Sequence, residues 1–262
     1  MAKAETPPGD AYAYRLTLRY DGRSFFGWQR HPGKPTVQAA LETAVEEVFG
    51  VRRAVHAAGR TDRGVHADAQ VVHVHVPFSL DAPELREELN RHLPDAVRVD
   101  AVAPASLEFH ARDSAVAKTY RYEIHNAAAC PEGRVGRVWH IPKQLDVEAM
   151  RDALPVLSGE HDFSSFAKKA NYKRKSMVRT VHDIDMQVEG PLIVLRFRAD
   201  GFLYKMVRNL VRAIVKVGEG RYDTARLADI LAARDRQAAP GTAPPTGLYL
   251  ESVEYPEEVG AP

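Results

Sequence analysis

Ala58-Gly59-Arg60-Thr61-Asp62-Arg63-Gly64-Val65-His66-Ala67-Asp68-Ala69 runs directly into Gln70-Val71-Val72-His73-Val74-His75-Val76, and together they read as a loop carried on a strand. Gly59 and Gly64 bracket the Arg-Thr-Asp segment, and glycine is used where a chain turns sharply or approaches another molecule closely. The turn presents Arg60 and Asp62. From Gln70 onward valine alternates with other residues at period 2, the pattern of a strand with two different faces. The loop is thus anchored on something stiff, the setting in which chemistry tends to sit. On its own, an aspartate between glycines is an ordinary turn former, because its carboxylate bonds the local backbone.

Outward from this loop the chain alternates strands and helices. Tyr14, Leu16, Leu18 and Tyr20 alternate against Arg15, Thr17 and Arg19, which predicts a half-buried strand, and Asp21-Gly22 marks a turn after it. Val37 to Phe49 places Val37, Leu41, Ala44, Val45, Val48 and Phe49 on one helical face, with Thr36 as N-cap and Gly50 just past the end. A second helix is expected over Pro83 to His92 and a strand over Val97 to Val102. The order then begins again. Strands are expected over Thr119–His125, Ile184–Val188, Leu192–Ala199 and Leu248–Val253, and helices over Val147–Leu157, Lys205–Val217 and Thr224–Arg234. This predicts an α+β protein in two similar halves: a disordered tail to residue 11, one domain over 12–110, a second over 111–255, and a tail over 256–262.

Composition narrows the function classes. A hydrophobic share of 45% and a charged share of 27% are ordinary globular values, and a net charge of +1 means that any nucleic-acid face must be local. The single cysteine, Cys130, excludes an internal disulfide framework and a cysteine-rich zinc site. No apolar run approaches membrane-spanning length, and the first ten residues lack a signal peptide's apolar core, so a cytoplasmic protein with no membrane partner is expected.

Gly59-Arg60-Thr61-Asp62, Gly64-Val65-His66-Ala67 and Gln70-Val71-Val72-His73 resemble the active-site motif of the tRNA pseudouridine synthases of the TruA type. Tyr20-Asp21-Gly22, Phe26-Gly27-Trp28-Gln29-Arg30, Phe109-His110-Ala111-Arg112, Tyr120-Arg121-Tyr122, Met206-Val207-Arg208-Asn209 and Thr242 to Leu250 are similar to that family's other motifs, in its order. The resemblance spans about residue 12 to residue 255. It implies two ferredoxin-like domains whose antiparallel sheets join, with the Asp62 loop in a central cleft. It further implies isomerisation of uridine to pseudouridine on the 3′ side of the tRNA anticodon stem-loop, by a homodimer. The reaction conserves atoms, so no cofactor or metal is expected. Asp62 is then the catalytic nucleophile, Arg208 its ion-pair partner, Tyr120 a ring for stacking with a hydroxyl for the proton step, and Leu248 an apolar wall. A uridine in a stem-loop must be flipped out, and Arg60 is a reasonable filler of the gap because its guanidinium stacks and bonds phosphate. Relatives often carry a small residue where this chain has Arg63, which could add a phosphate contact.

Other candidates follow from charge and spacing. Lys168, Lys169, Lys173, Arg174, Lys175 and Arg179 fall in one segment with Phe166 and Tyr172 interleaved, a mixture suited to an RNA backbone. Lys205, Arg208, Arg212 and Lys216 recur at helical spacing; this is either a solvated face or an RNA contact, and Lys168, Lys169 and Lys205 are counted as substrate-binding. His73 and His75 form a His-x-His on one strand face, but no further ligand stands nearby in sequence, so they read as strand residues. A second class of function fits the same features: a non-catalytic RNA-binding protein with paired ferredoxin-like domains. Asp62 discriminates, since a carboxylate repels phosphate.

Overall fold

The computed structural model describes residues 11–168 and 176–257. It is a mixed α/β fold in two compact units. Val116 closes the first unit, Ala117 to Glu251 make the second, and Ser252 onward belongs again to the first. The sequence places this division at 110/111 and assigns everything to 255 to the second half. The difference has a local cause. His73 Nδ1 accepts the Ala111 N–H at 3.0 Å, the Tyr255 hydroxyl donates to the Ala111 carbonyl at 2.6 Å, and the Phe109 and Tyr255 rings pack at 5.2 Å. These ties hold Phe109–Ala111 and the C-terminal stretch on the first unit. Most of both expected tails lies outside the described residues, although the Ala11 N–H already bonds the Val76 carbonyl at 3.0 Å.

The first unit contains β1 (Tyr12–Tyr20), α1 (Val37–Phe49), β2 (Val55–Ala57), β3 (His66–Val76), α2 (Ala82–His92) and β4 (Val97–Ala105). Its strands lie in the order β4-β1-β3-β2, all antiparallel. Alternation decides the faces. Leu16 and Leu18 stand opposite Val72 and Gln70 in register, and these positions are buried, as are Leu41, Val45, Leu85 and Leu89 of the two helices. Thr36 caps α1 by accepting the Ala39 N–H, and Gly50 ends it at φ 68°, where a side chain would be strained. Asn90 fastens α2 to β4, donating to the Val99 carbonyl and accepting its N–H, both at 2.8 Å. The opposite face of β3 carries Val71, His73 and His75; Val71 is packed with Ala58, Phe109 and Ala111.

The second unit contains β5 (Ala117–His125), β6 (Trp139–His140), α3 (Val147–Ala153), β7 (Gly159–Asp162), β8 (Val178–Glu189), β9 (Leu192–Ala199), α4 (Met206–Gly218), α5 (Thr224–Ala233) and the start of β10 (Leu248–Glu254), whose residues from Ser252 on count with the first. Its order is β10-β5-β9-β8-β7, with β6 parallel to β5. The helix expected to reach Leu157 stops at Ala153 and continues as a 3-10 turn over Leu154–Leu157. Pro155 is the reason: it has no N–H to give and its ring crowds the preceding turn. Lys205 stands just outside α4 at φ 63°. The short strands β2, β6 and β7 are not legible in the sequence, because two to four residues carry too little alternation to read.

Candidate active site

The Asp62 loop is held from three sides within the first unit. From β3, the Gln70 side chain closes on Gly59: Nε2 donates to the Gly59 carbonyl at 2.7 Å and Oε1 accepts the Gly59 N–H at 3.3 Å. The same Nε2 lies 3.3 Å from the Tyr20 hydroxyl, which bonds Thr61 Oγ1 at 2.8 Å. Burial raises the Tyr20 hydroxyl to about 12, so it remains protonated as part of this chain of bonds. From the segment after β1, the Trp28 N–H donates to the Thr61 carbonyl at 3.0 Å. Gly27, at φ 96°, lies so close that a Cβ there would come within 2.8 Å of the Thr61 carbonyl oxygen and 3.1 Å of Arg63 N. Gly22 is as tight against Val65, where a Cβ would overlap the carbonyl. Inside the loop, the Val65 N–H returns to the Asp62 carbonyl at 3.1 Å.

One more polar group braces the far side. His66 is buried, its Nδ1 accepts the Gly22 N–H at 3.2 Å, and Asp21 Oδ1 stands 3.4 Å from that nitrogen. Hydrogen bonds from Arg23 are the main reason the Asp21 carboxyl lies at about 2. The result is a half-buried Asp62 on a backbone fixed by buried hydrogen bonds, with Arg60 and Arg63 exposed on either side. That is a preorganised carboxylate.

The second unit gathers its own candidates. Tyr120 lies on β5, buried, with the Phe202 ring edge-on at 5.1 Å. Arg208 lies in the first turn of α4, and its Nε donates to the Ala243 carbonyl at 2.8 Å, while the Ala243 N–H bonds the Arg208 carbonyl. The buried Asn209 extends this clamp: Nδ2 donates to the Phe166 carbonyl at 2.6 Å and Oδ1 accepts from the Thr242 hydroxyl at 2.7 Å. The segment from Thr242 is thereby tied to the start of α4, and it leads to Leu248, which is 6% exposed. The Tyr122 hydroxyl donates to the Pro244 carbonyl, and Gly247 leaves no room for a Cβ against Glu123 and the Tyr122 ring. Tyr120, Arg208 and Leu248 are thus all set by one unit's framework.

The basic residues divide. Lys168 is exposed and its N–H bonds the Tyr204 carbonyl at 2.9 Å, while Lys205 Nζ lies 5.5 Å from the Tyr204 ring, so both lysines are gathered at one tyrosine. Lys169, Tyr172, Lys173, Arg174 and Lys175 lie outside the described residues. The α4 stripe is not a free cationic face. Lys216 Nζ pairs with Glu219 at 2.6 Å and Arg212 with the same carboxylate at 3.4 Å, and the Arg212 guanidinium also covers Trp139. This favours the structural reading for those two.

His73 and His75 are more than isolated strand residues. The His73 ring stacks on His56 at 5.0 Å and meets His110 at 4.7 Å and His75 at 5.5 Å. Because His73 Nδ1 accepts a backbone N–H, its proton sits on Nε2, which cannot then ligate a metal. Among the described residues no His, Cys, Asp or Glu group is arranged to hold one. Gln70, His66, Gly22 and Gly27 stand in the quoted motifs without a bracing role read for them; for Gln70 the signal was a polar residue on an inward strand position, where burial demands a partner.

Comparison with known proteins adds a family to this geometry. Residues 17–112 and 153–256 match the family described as tRNA pseudouridine synthase. The relatives include tRNA pseudouridine synthase A of Methylacidiphilum infernorum, 45% identical over 94% of this chain and 96% of that protein. Those of Rhodospirillum rubrum and Acidiphilium cryptum are 43% and 46% identical, over 95% and 92% of this chain and 90% and 96% of their own lengths. The family match covers both the Asp62 loop and the Arg208 clamp, while residues 113–152, Tyr120 among them, lie between its two matched stretches. The chain belongs to the tRNA pseudouridine synthase family.

Proposed function

We propose that this protein isomerises uridine to pseudouridine in the anticodon stem-loop of tRNA, on its 3′ side, with Asp62 as the nucleophile. The observation that carries this reading is the Asp62 loop itself. A half-buried carboxylate, fixed through Gly59, Thr61 and the glycine contacts and flanked by exposed arginines, is an arrangement suited to acting on a sugar–base unit inside a polyanion.

In the reaction the C1′–N1 bond breaks, the uracil turns, and a C1′–C5 bond forms. The C5 proton leaves and N1 gains one, so nothing else is consumed. Asp62 stabilises or attacks the sugar–base unit at the first step. The family resemblance makes Arg208 the partner that orients the Asp62 carboxylate, a task for which its planar fork is better suited than an ammonium. Tyr120 stacks on the base and serves the proton step, Leu248 walls the pocket, and Arg60 fills the space of the flipped uridine. Lys168, Lys169 and Lys205 take phosphates.

Each unit is read as a ferredoxin-like domain. Support comes from the strand orders β4-β1-β3-β2 and β10-β5-β9-β8, with helices between the parallel-running strands. The protein acts as a cytoplasmic homodimer, which would give a nearly neutral chain a larger basic surface. No helix among the described residues is long and apolar enough to cross a membrane.

The test is conversion of an unmodified tRNA transcript, mapped by carbodiimide treatment and primer extension, with the wild type and Asp62→Asn compared. Product in the anticodon arm that disappears with Asp62→Asn, while the transcript is still bound, is the expected result. A folded wild type that binds the transcript and yields no product would point to a non-catalytic RNA-binding protein instead.

A further inference from the structure

We propose that Phe26, Arg63 and Lys34 form a cation–aromatic seat for a phosphodiester of the bound RNA, next to the Asp62 loop. The proposal rests on the reading of this protein as an RNA-modifying enzyme and extends the phosphate contact expected of Arg63 to a seat built with Phe26 and Lys34.

Phe26 is 39% exposed, a large ring left at the surface of a unit that buries most of its others. It is not loosely placed. Its N–H donates to the Pro35 carbonyl at 2.7 Å, and the next residue, Gly27, lies against the backbone of Thr61, Asp62 and Arg63. The ring and the catalytic loop therefore share one rigid frame. Two cations converge on it: the Arg63 guanidinium carbon lies 5.2 Å from the ring centroid and Lys34 Nζ lies 5.6 Å from it. The lysine is delivered by a tight turn in which the Lys34 N–H bonds the His31 carbonyl at 3.2 Å and Gly33 takes φ 67°. The same turn brings the His31 ring to 5.7 Å from Phe26.

Cation–aromatic contact explains why the arrangement suits a phosphate. A guanidinium laid on a ring loses rotational freedom but keeps its N–H edge outward, so a bidentate bond to an oxyanion costs less ordering. Two positive groups on one ring offer a single phosphate both a fork and a point charge. Of the acids near the platform, Asp62 adjoins Arg63 in sequence, while Asp21 is held by Arg23 and Glu42 by Arg30 at 2.5 Å. A purely structural account would have Arg63 cover the ring, yet the ring stays exposed and its backbone is fixed without the arginine.

The experiment measures the affinity of the full-length protein for an unmodified tRNA transcript over a range of salt, with thermal midpoints confirming that each variant is folded. Arg63→Ala and Lys34→Ala should each weaken binding about three- to tenfold and reduce the slope of log Kd against log salt by about 0.7–0.9, the signature of one lost phosphate contact. Phe26→Leu should weaken binding while leaving the slope nearly unchanged, and should add little in the Arg63→Ala background, because the ring acts through the guanidinium. Unchanged affinity and slope in Arg63→Ala would overturn the seat, as would a wild type that does not bind the transcript. An equal Phe26→Leu loss in both backgrounds would overturn it in favour of direct base stacking. Pseudouridine is assayed in parallel. A wild type that binds with these slopes but makes no product refutes the enzymatic reading and leaves the seat standing, whereas product with flat slopes does the reverse.

Discussion

The Gln70 carboxamide bonds both polar groups of the Gly59 backbone, donating to the carbonyl at 2.7 Å and accepting the N–H at 3.3 Å. A strand residue thereby replaces the ladder partner that the loop would otherwise lack. Gln70 is fully buried, so nothing in solvent can substitute for it.

Gln70→Leu should therefore cost ~2–4 kcal/mol of stability, since it leaves two backbone groups without their partner. Urea denaturation reads the loss. The loop it holds carries Asp62, so turnover should fall by more than tRNA affinity does. A variant with wild-type stability would show that the loop is held by Trp28 and the glycine contacts alone.

Tyr20→Phe removes one hydroxyl from the same chain of bonds, leaving Thr61 Oγ1 and Gln70 Nε2 short of a partner. The expected loss is about 1–2 kcal/mol, smaller than for Gln70→Leu because each remaining group keeps room to reorient. The two changes share partners, so the double variant should fall short of the sum by at least about 0.5 kcal/mol. Strict additivity in denaturation would argue against a single network.

Gly27→Ala meets the Thr61 carbonyl oxygen and adds strain at φ 96°. About 1–3 kcal/mol of stability should be lost. If the loop moves to make room, the rate of pseudouridine formation should drop at least about tenfold with little change in tRNA affinity. Unaltered rate with reduced stability would mean that Phe26–Trp28 yields and the Asp62 loop does not.

Acid should weaken the first unit through His73. Its folded-state value is pushed down to about 4, first by burial and then by His110, His56 and His75, with Asp113 opposing; Arg15 faces it across β1, and His56 is lowered for similar reasons. The unfolded chain, near 6.5, binds the proton more readily, so stability is complete above that value and is lost as pH falls from about 6.5 to about 4. Up to ~3 kcal/mol is involved. Protonation at Nδ1 would also break the bond from the Ala111 N–H. His73→Gln, which can still accept that N–H, should flatten the dependence in this window; an unchanged profile of denaturation midpoint against pH would assign it to other groups.

Much of the fold was legible in local sequence. The Val37–Phe49 helix, with Thr36 and Gly50 at its ends, needs only side-chain periodicity and two capping residues within reach of one another. The Asp62 loop likewise declares itself through Gly59, Gly64 and the alternation that follows. Pro155 was in plain view, but its effect on the helix expected to reach Leu157 depends on the turn before it. Strands as short as Val55–Ala57 exist only because a neighbour pairs with them.

Sequence alone singled out the candidates for the chemistry: a carboxylate between glycines on a strand, followed at a distance by a tyrosine and an arginine in motif positions. Tertiary structure decided what holds them and what else surrounds them. Gln70 reaches back to Gly59 and Tyr20 to Thr61, four histidines from three segments meet at His73, and Arg63 lies over Phe26. Most of these contacts join residues far apart along the chain, and strand register brings them together. Register is fixed by the burial of whole faces, a sum over many residues that no single stretch of sequence contains.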